Sequence, residues 1–103
     1  MSQEHGAIEL TVTGSGHATI RLRGDLDCLV ADQGHEVLMA NACRLLVEVD
    51  ASDMRFIDAC GLTAVLRLVE TSRSRPRLTD PPATLRFLLD VAQRWDLFEP
   101  MPR

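Results

Sequence analysis

Between Leu45 and Val69 the chain changes its apolar period once, and that change restricts it to few folds. Leu45-Leu46-Val47-Glu48-Val49 is almost continuously apolar and stops at Asp50, the pattern of a central strand covered on both faces. Leu62, Val65, Leu66 and Val69 then follow the i, i+3, i+4, i+7 spacing of a helix with one buried stripe. Arg67 and Glu70 fall on the other side of that helix, expected over 61–72. Asp58 stands just before it, where a carboxylate can accept from the exposed backbone N–H groups. A buried strand that feeds an amphipathic helix calls for a sheet with helices laid on it.

The remaining segments supply the other elements. Residues 8–12, IELTV, alternate apolar and polar as a half-buried strand does. Gly14-Ser15-Gly16 breaks the pattern, and residues 18–22, ATIRL, resume it as far as Gly24. The two runs predict an antiparallel hairpin. Residues 30–42 predict a first helix with Val30, Val37 and Leu38 on one face; Gly34 weakens it by about 1 kcal/mol relative to Ala. Arg73, Arg75 and Arg77 read as a solvated basic turn around Pro76, and Arg77-Leu78-Thr79 as a brief edge strand. Pro81 and Pro82 fit a helix start, and Leu85, Leu88, Leu89, Ala92 and Trp95 form the apolar stripe of the last helix. Leu97, Phe98 and Met101 are expected to fold the tail back onto the core. The order is ββαβαβα. The expected architecture is an α/β sandwich with a small mixed β-sheet of about four strands and helices packed against it. Residues 1–7 read as a flexible N-terminal tail and 8–103 as a single domain.

Charge and motif content narrow the function. A net charge of −4 opposes nucleic-acid binding, which wants a basic face. No apolar run approaches the roughly 18–20 residues of a membrane helix, and residues 1–6 carry no apolar signal core. The expected setting is cytoplasmic, without membrane insertion. There is no P-loop and no G-x-G-x-x-G. His5, His17 and His35 fall in the tail, in a turn and on a helix, and nothing pairs them with a nucleophile. Asp50, Asp53 and Asp58 read as a helix cap and turn residues rather than a ligand set. No catalytic residue, metal site or cofactor is expected, and the chain reads as a binding protein rather than an enzyme.

Two segments carry a family resemblance. Residues 18–27, ATIRLRGDLD, resemble the second strand of STAS domains, which ends in a Gly-acidic-Leu-Asp turn; Asp25 stands where Glu is usual. Residues 46–66, LVEVDASDMRFIDACGLTAVL, are similar to the family's apolar strand, Asp, short loop, aromatic-apolar-Asp, two small residues, Gly-Leu and helix. The likeness spans roughly residues 8–99 and is to the anti-sigma factor antagonist type. It implies a bacterial regulatory protein that binds an anti-sigma factor with a serine-kinase-like fold to control transcription. The implied partner-binding residues are Asp27, Asp58, Ala59, Cys60, Gly61 and Thr63. Simpler roles stand beside these: Asp27 as a cap or turn residue, Gly61 as a close-packing residue, Gly24 as a backbone requirement.

One departure bears on control. In such antagonists a Ser or Thr directly after the Asp of the second motif is phosphorylated by the partner kinase. Ala59 occupies that position here, followed by Cys60. A phosphate would bring roughly −1.5 to −2 charges onto the partner face, and Ala offers no hydroxyl to carry it. The resemblance thus implies a constitutive or differently controlled antagonist, with Thr63 or Ser52 as places to which phosphorylation could have moved. An alternative implied by the same family is an accessory subunit that binds the ATPase of a lipid-transport ABC system or joins a stress-signalling assembly.

The three cysteines, Cys28, Cys43 and Cys60, form no C-x-x-C pair and no zinc spacing with histidine. Their odd number leads to an expectation of reduced thiols. In the fold that the resemblance implies, the loop after Asp27 and the start of the 61–72 helix are neighbours, which makes Cys28 and Cys60 a candidate redox pair. A helix N-terminus favours thiolate at Cys60. In the other reading Cys60 is a small residue standing where Ser or Gly also fits.

Overall fold

The computed structural model describes residues 6–14, 16–27, 34, 36, 45–72 and 74–100. Its strands are β1 (Ala7–Gly14), β2 (His17–Leu26), β3 (Leu45–Ile57) and β4 (Arg77–Thr79), hydrogen-bonded in that order into one mixed sheet. β1 and β2 form the expected hairpin, with Leu10 opposite Ile20 and Ile8 opposite Leu22. β3 runs parallel to β2, and β4 parallel to β3. A parallel return needs a crossover, and residues 27–44 make the one between β2 and β3. The helix expected over 30–42 lies outside the described residues apart from Gly34 and Glu36, whose backbone is helical. Two helices are described in full, α1 (Ala59–Ser72) and α2 (Ala83–Ala92).

The strand expected to stop at Asp50 continues to Ile57, and β2 continues past Gly24 to Leu26. β3 has 13 residues and β2 has 10. The difference is absorbed at three register shifts, between Ala18 and Thr19, Arg21 and Arg23, and Gly24 and Asp25. Each places one extra residue on β3, as a β-bulge does. Gly24 sits at the last shift with φ +65°, a backbone state that costs other residues roughly 1–2 kcal/mol. The bulges also spoil the alternation. Buried positions on β3 fall at Leu46, Val49, Ala51, Met54 and Ile57, a mixture of spacings by two and by three.

The sheet has two unlike faces. Ile8, Ile20, Leu22, Leu46, Val49 and Leu78 point into one buried cluster with Leu62, Val65, Leu68 and Val69 of α1 and Leu85 and Leu89 of α2. The opposite face is polar and exposed. Across it Arg21 pairs with Asp53, Arg23 with Glu9 at 3.5 Å, and Arg55 with Asp25 at 3.4 Å. Such open pairs contribute little each, about 0–1 kcal/mol. The expectation that the 45–49 strand is covered on both faces is therefore corrected. Leu45 and Val47 are 48% and 41% exposed, and Val47 is the residue left over at the first bulge.

The C-terminal part closes the core. Ser74 Oγ donates to the Leu46 carbonyl at 2.7 Å and fixes the chain leaving α1 against the sheet. α2 ends at Ala92 because Gln93 adopts a left-handed conformation, φ 55°, and its N–H returns to the last turn. Trp95 is thus not part of the last helix's stripe, as the spacing predicts, and Ala92 is exposed. Trp95 opens a 3₁₀ turn, Trp95–Leu97, packs against the core from there, and donates its indole N–H to Asp90 at 2.5 Å. Phe98 is 1% exposed and Glu99 N–H donates to the Pro76 carbonyl at 2.9 Å. The tail folds back as expected through Leu97 and Phe98; Met101 lies outside the described residues.

Candidate partner-docking site

β2 and β3 finish side by side, Leu26 opposite Ile57, and the chain turns from there into α1. Asp58 makes the turn. Its N–H donates to the Leu26 carbonyl at 3.2 Å and its carbonyl accepts from Leu62 N–H at 2.9 Å, the first helical bond. Its carboxylate Oδ1 accepts from Gly61 N–H at 2.9 Å, which is the capping geometry for an otherwise orphaned helix donor. Gly61 is buried. A Cβ built on it would overlap the Leu26 carbonyl oxygen and stand 2.8 Å from the carbonyl carbon and 3.0 Å from Leu26 Cβ. Only a residue without a side chain lets α1 come this close to the end of β2.

The cap aims the first turn of α1 outward. Ala59, Cys60 and Thr63 are exposed, and Asp58 and Asp27 half-buried. Thr63 Oγ1 donates to the Ala59 carbonyl at 2.8 Å. The first turn carries no acidic side chain of its own, and the Asp58 carboxylate, bonded to Gly61 N–H, meets the partial positive charge of the helix end. The candidate residues taken from the sequence therefore share one end of the sheet, with Gly61 as the buried member that holds the others in place. Among the described residues no three His, Cys, Asp or Glu side chains gather as a metal ligand set, and no helix is long and apolar enough to cross a membrane.

Two features of this end bear on the sequence reading: one was not assigned from the sequence, and the other decides between two of its expectations. Phe56 is 49% exposed two residues before Asp58, beside the Arg55–Asp25 pair. Its signal was the aromatic position of the motif itself, but a strand that was expected to end at Asp50 gave no means of assigning it a face. The second concerns sulfur. Cys60 is disulfide-bonded, against the expectation of reduced thiols drawn from an odd count. Cys28 and Cys43 lie outside the described residues.

No family model matches the sequence, and no curated protein matches it. Solved structures do. The anti-sigma factor antagonist SpoIIAA in its unphosphorylated form superposes with a TM-score of 0.71 at 20% identity, over 93% of this chain and 89% of that one. A protein of the DUF3478 family from Shewanella loihica PV-4, described as having a SpoIIAA-like fold, gives a TM-score of 0.62 at 14% identity, over 90% of this chain and 82% of that one. The order of strands, the mixed sheet and the helices on its apolar face are those of the STAS fold, and the chain has the fold of SpoIIAA.

Proposed function

We propose that this protein is a regulatory binding domain of the anti-sigma factor antagonist type, which docks on an anti-sigma factor with a serine-kinase-like fold and so controls transcription. The observation that carries the reading is the exposed first turn of α1, with Ala59, Cys60 and Thr63 outward and Asp58 capping it, on a SpoIIAA fold. The outward side chains of Ala59, Cys60 and Thr63 are uncharged and small, so a partner can approach the backbone of the helix end closely. Ala59 keeps the tip free of phosphate, and docking is constitutive with respect to the usual switch. The hydroxyls of Ser52 and Thr63 are both engaged as donors, Ser52 Oγ to Asp50 at 2.7 Å and Thr63 Oγ1 to the Ala59 carbonyl.

The test is site-directed photo-crosslinking in the native cell. A crosslinking residue at position 63 is expected to capture a kinase-like, ATP-binding anti-sigma factor, while one at the exposed position 86 on α2 captures none. Incubation with the captured protein and ATP should leave residue 59 unmodified. Phosphate found on Thr63 or Ser52 would mean that control has moved along the chain. Capture of a transporter ATPase through position 63 would replace this reading with that of an accessory subunit, and equal capture at 63 and 86 would end it.

A further inference from the structure

We propose that the outer face of α2 is a homotypic interface, through which two copies of this chain pair in an antiparallel, two-fold arrangement. α2 is apolar on both sides. Leu85 and Leu89 are 1% and 0% exposed and face the core. Phe87 and Val91, one turn apart, point the other way and are 64% and 66% exposed, more than any other large apolar side chain among the described residues. A helix that is apolar all round is normally covered. Ala83 and Thr84, exposed and small, extend the face by a turn. Both ends of the helix are fixed, by the Arg86 N–H bond to the Pro82 carbonyl and by the left-handed Gln93, so the face is preformed.

The charges beside the stripe point to a second copy as the occupant. At about 3.6 residues per turn, Arg86 and Asp90 fall on the same flank of Phe87. Both are exposed. They do not pair with each other: Asp90 Oδ1 accepts from the Trp95 indole N–H, and Arg86 has no ion pair among the described residues. An Arg four residues before an Asp is the weaker orientation for a pair on one helix. A two-fold axis across two antiparallel helices sets each flank opposite its own copy. With the axis between positions 88 and 89, Arg86 of one copy lies level with Asp90 of the other to within about 1.5 Å along the helices, and Phe87 with Val91 likewise. Two Arg–Asp pairs then flank an apolar seam, and the carboxylate that holds the indole keeps acceptor positions for a guanidinium. A different protein would have to supply an acid and a base in this order; a second copy supplies them by symmetry. α2 has 10 residues, a length of about 15 Å, and covers less than the roughly 800 Å² per partner of a standard interface. The pair is therefore weak, with a dissociation constant on the order of 100 µM. None of these residues belongs to the α1 tip, so the pairing is independent of the proposed function.

Sedimentation equilibrium of the intact chain from micromolar to millimolar concentration tests this, with non-reducing electrophoresis to exclude a cysteine-linked pair. The mean mass should rise from one chain towards two. Phe87→Ser and Arg86→Glu should each weaken association about tenfold or more; both positions are exposed, and unchanged thermal melting shows that the fold is intact. Arg86→Glu sets acid against acid across the axis, and Asp90→Lys sets base against base. An equimolar mixture of these two variants restores two opposite-charge pairs, so it should associate where neither variant does alone. A chain that stays monomeric at millimolar concentration overturns the proposal and leaves the face to a different protein. Association that survives both Phe87→Ser and Arg86→Glu places the dimer elsewhere and overturns it as well. A mixture of folded variants no stronger than its components overturns the antiparallel arrangement. If Asp90→Lys loses the Trp95 contact and does not fold, Phe87→Ser and Arg86→Glu decide alone.

Discussion

The carbonyl of Leu26 occupies the space that a side chain on Gly61 would need: a Cβ there would stand 2.8 Å from the carbonyl carbon. The obstacle is backbone at the end of β2, hydrogen-bonded to Asp58 N–H, so it cannot yield as a flexible side chain would. Gly61→Ala is expected to destabilise the protein by about 1–3 kcal/mol through overpacking. A urea titration measures it. An unchanged midpoint would mean that α1 does not rest on β2 as described.

The cap at Asp58 separates stability from charge. Asp58→Ala removes the acceptor for Gly61 N–H and should cost about 1 kcal/mol, whereas Asp58→Asn should lose only a small part of that. Equal destabilisation by both variants in chemical denaturation would show that the carboxylate's charge, rather than its capping bond, matters.

Ala59 is exposed at the start of α1, so Ala59→Glu can be tolerated by the fold; a negative charge in the first turn is favourable by about 0.3–1 kcal/mol. Its effect on docking should be the reverse. The added charge stands where a phosphate would, and capture from position 63 should fall tenfold or more. Thermal melting and crosslinking on the same sample distinguish the two effects.

Phe56 is 49% exposed beside that tip. Phe56→Ala should change stability by no more than about 0.5 kcal/mol, as surface substitutions do. If the ring is an anchor of the interface, its loss should weaken docking by roughly tenfold or more. Full capture by the variant would exclude Phe56 from the interface.

Asp50 gives the molecule an acid-sensitive contact. Its carboxyl is held below its ordinary pKa of 3.8 by Ser52, first through the backbone N–H bond at 3.0 Å and then through the hydroxyl; burial opposes them, and the Arg21 charge adds the least of the lowering effects. A depressed carboxylate stabilises the fold above its unfolded pKa, and the contribution is lost as pH falls through the folded value. Asp50→Asn should therefore lower stability at pH 7 by under about 1 kcal/mol after solvent screening. The difference from the parent protein should shrink below pH 4. A difference that persists at low pH, followed by denaturant midpoints, would place the effect elsewhere.

Local signals were read where the chain obeys one period. The hairpin of β1 and β2, the helix after Asp58 and the short β4 were legible because alternation, i, i+3, i+4 spacing and turn residues are properties of neighbours in sequence. The second half of β3 was not. Its buried residues Val49, Ala51, Met54 and Ile57 are spaced by bulges that exist only in the pairing with β2, and a spacing of three is the mark of a helix as much as of a bulged strand. Trp95 failed for a related reason. It continues an apolar spacing that the left-handed Gln93 interrupts, and nothing in the side-chain pattern announces that turn.

The order of elements, the Asp58 cap, the small residues after it and the absence of a hydroxyl at position 59 were fixed by residue type and local spacing alone. The tertiary structure decided what is joined across distance: which end of β3 meets Leu26, which sheet face the helices cover, and that Phe56 is left in solvent. Each of these depends on register between strands. Register follows from many weak pairings acting together over segments far apart in sequence, and no single window of residues carries it.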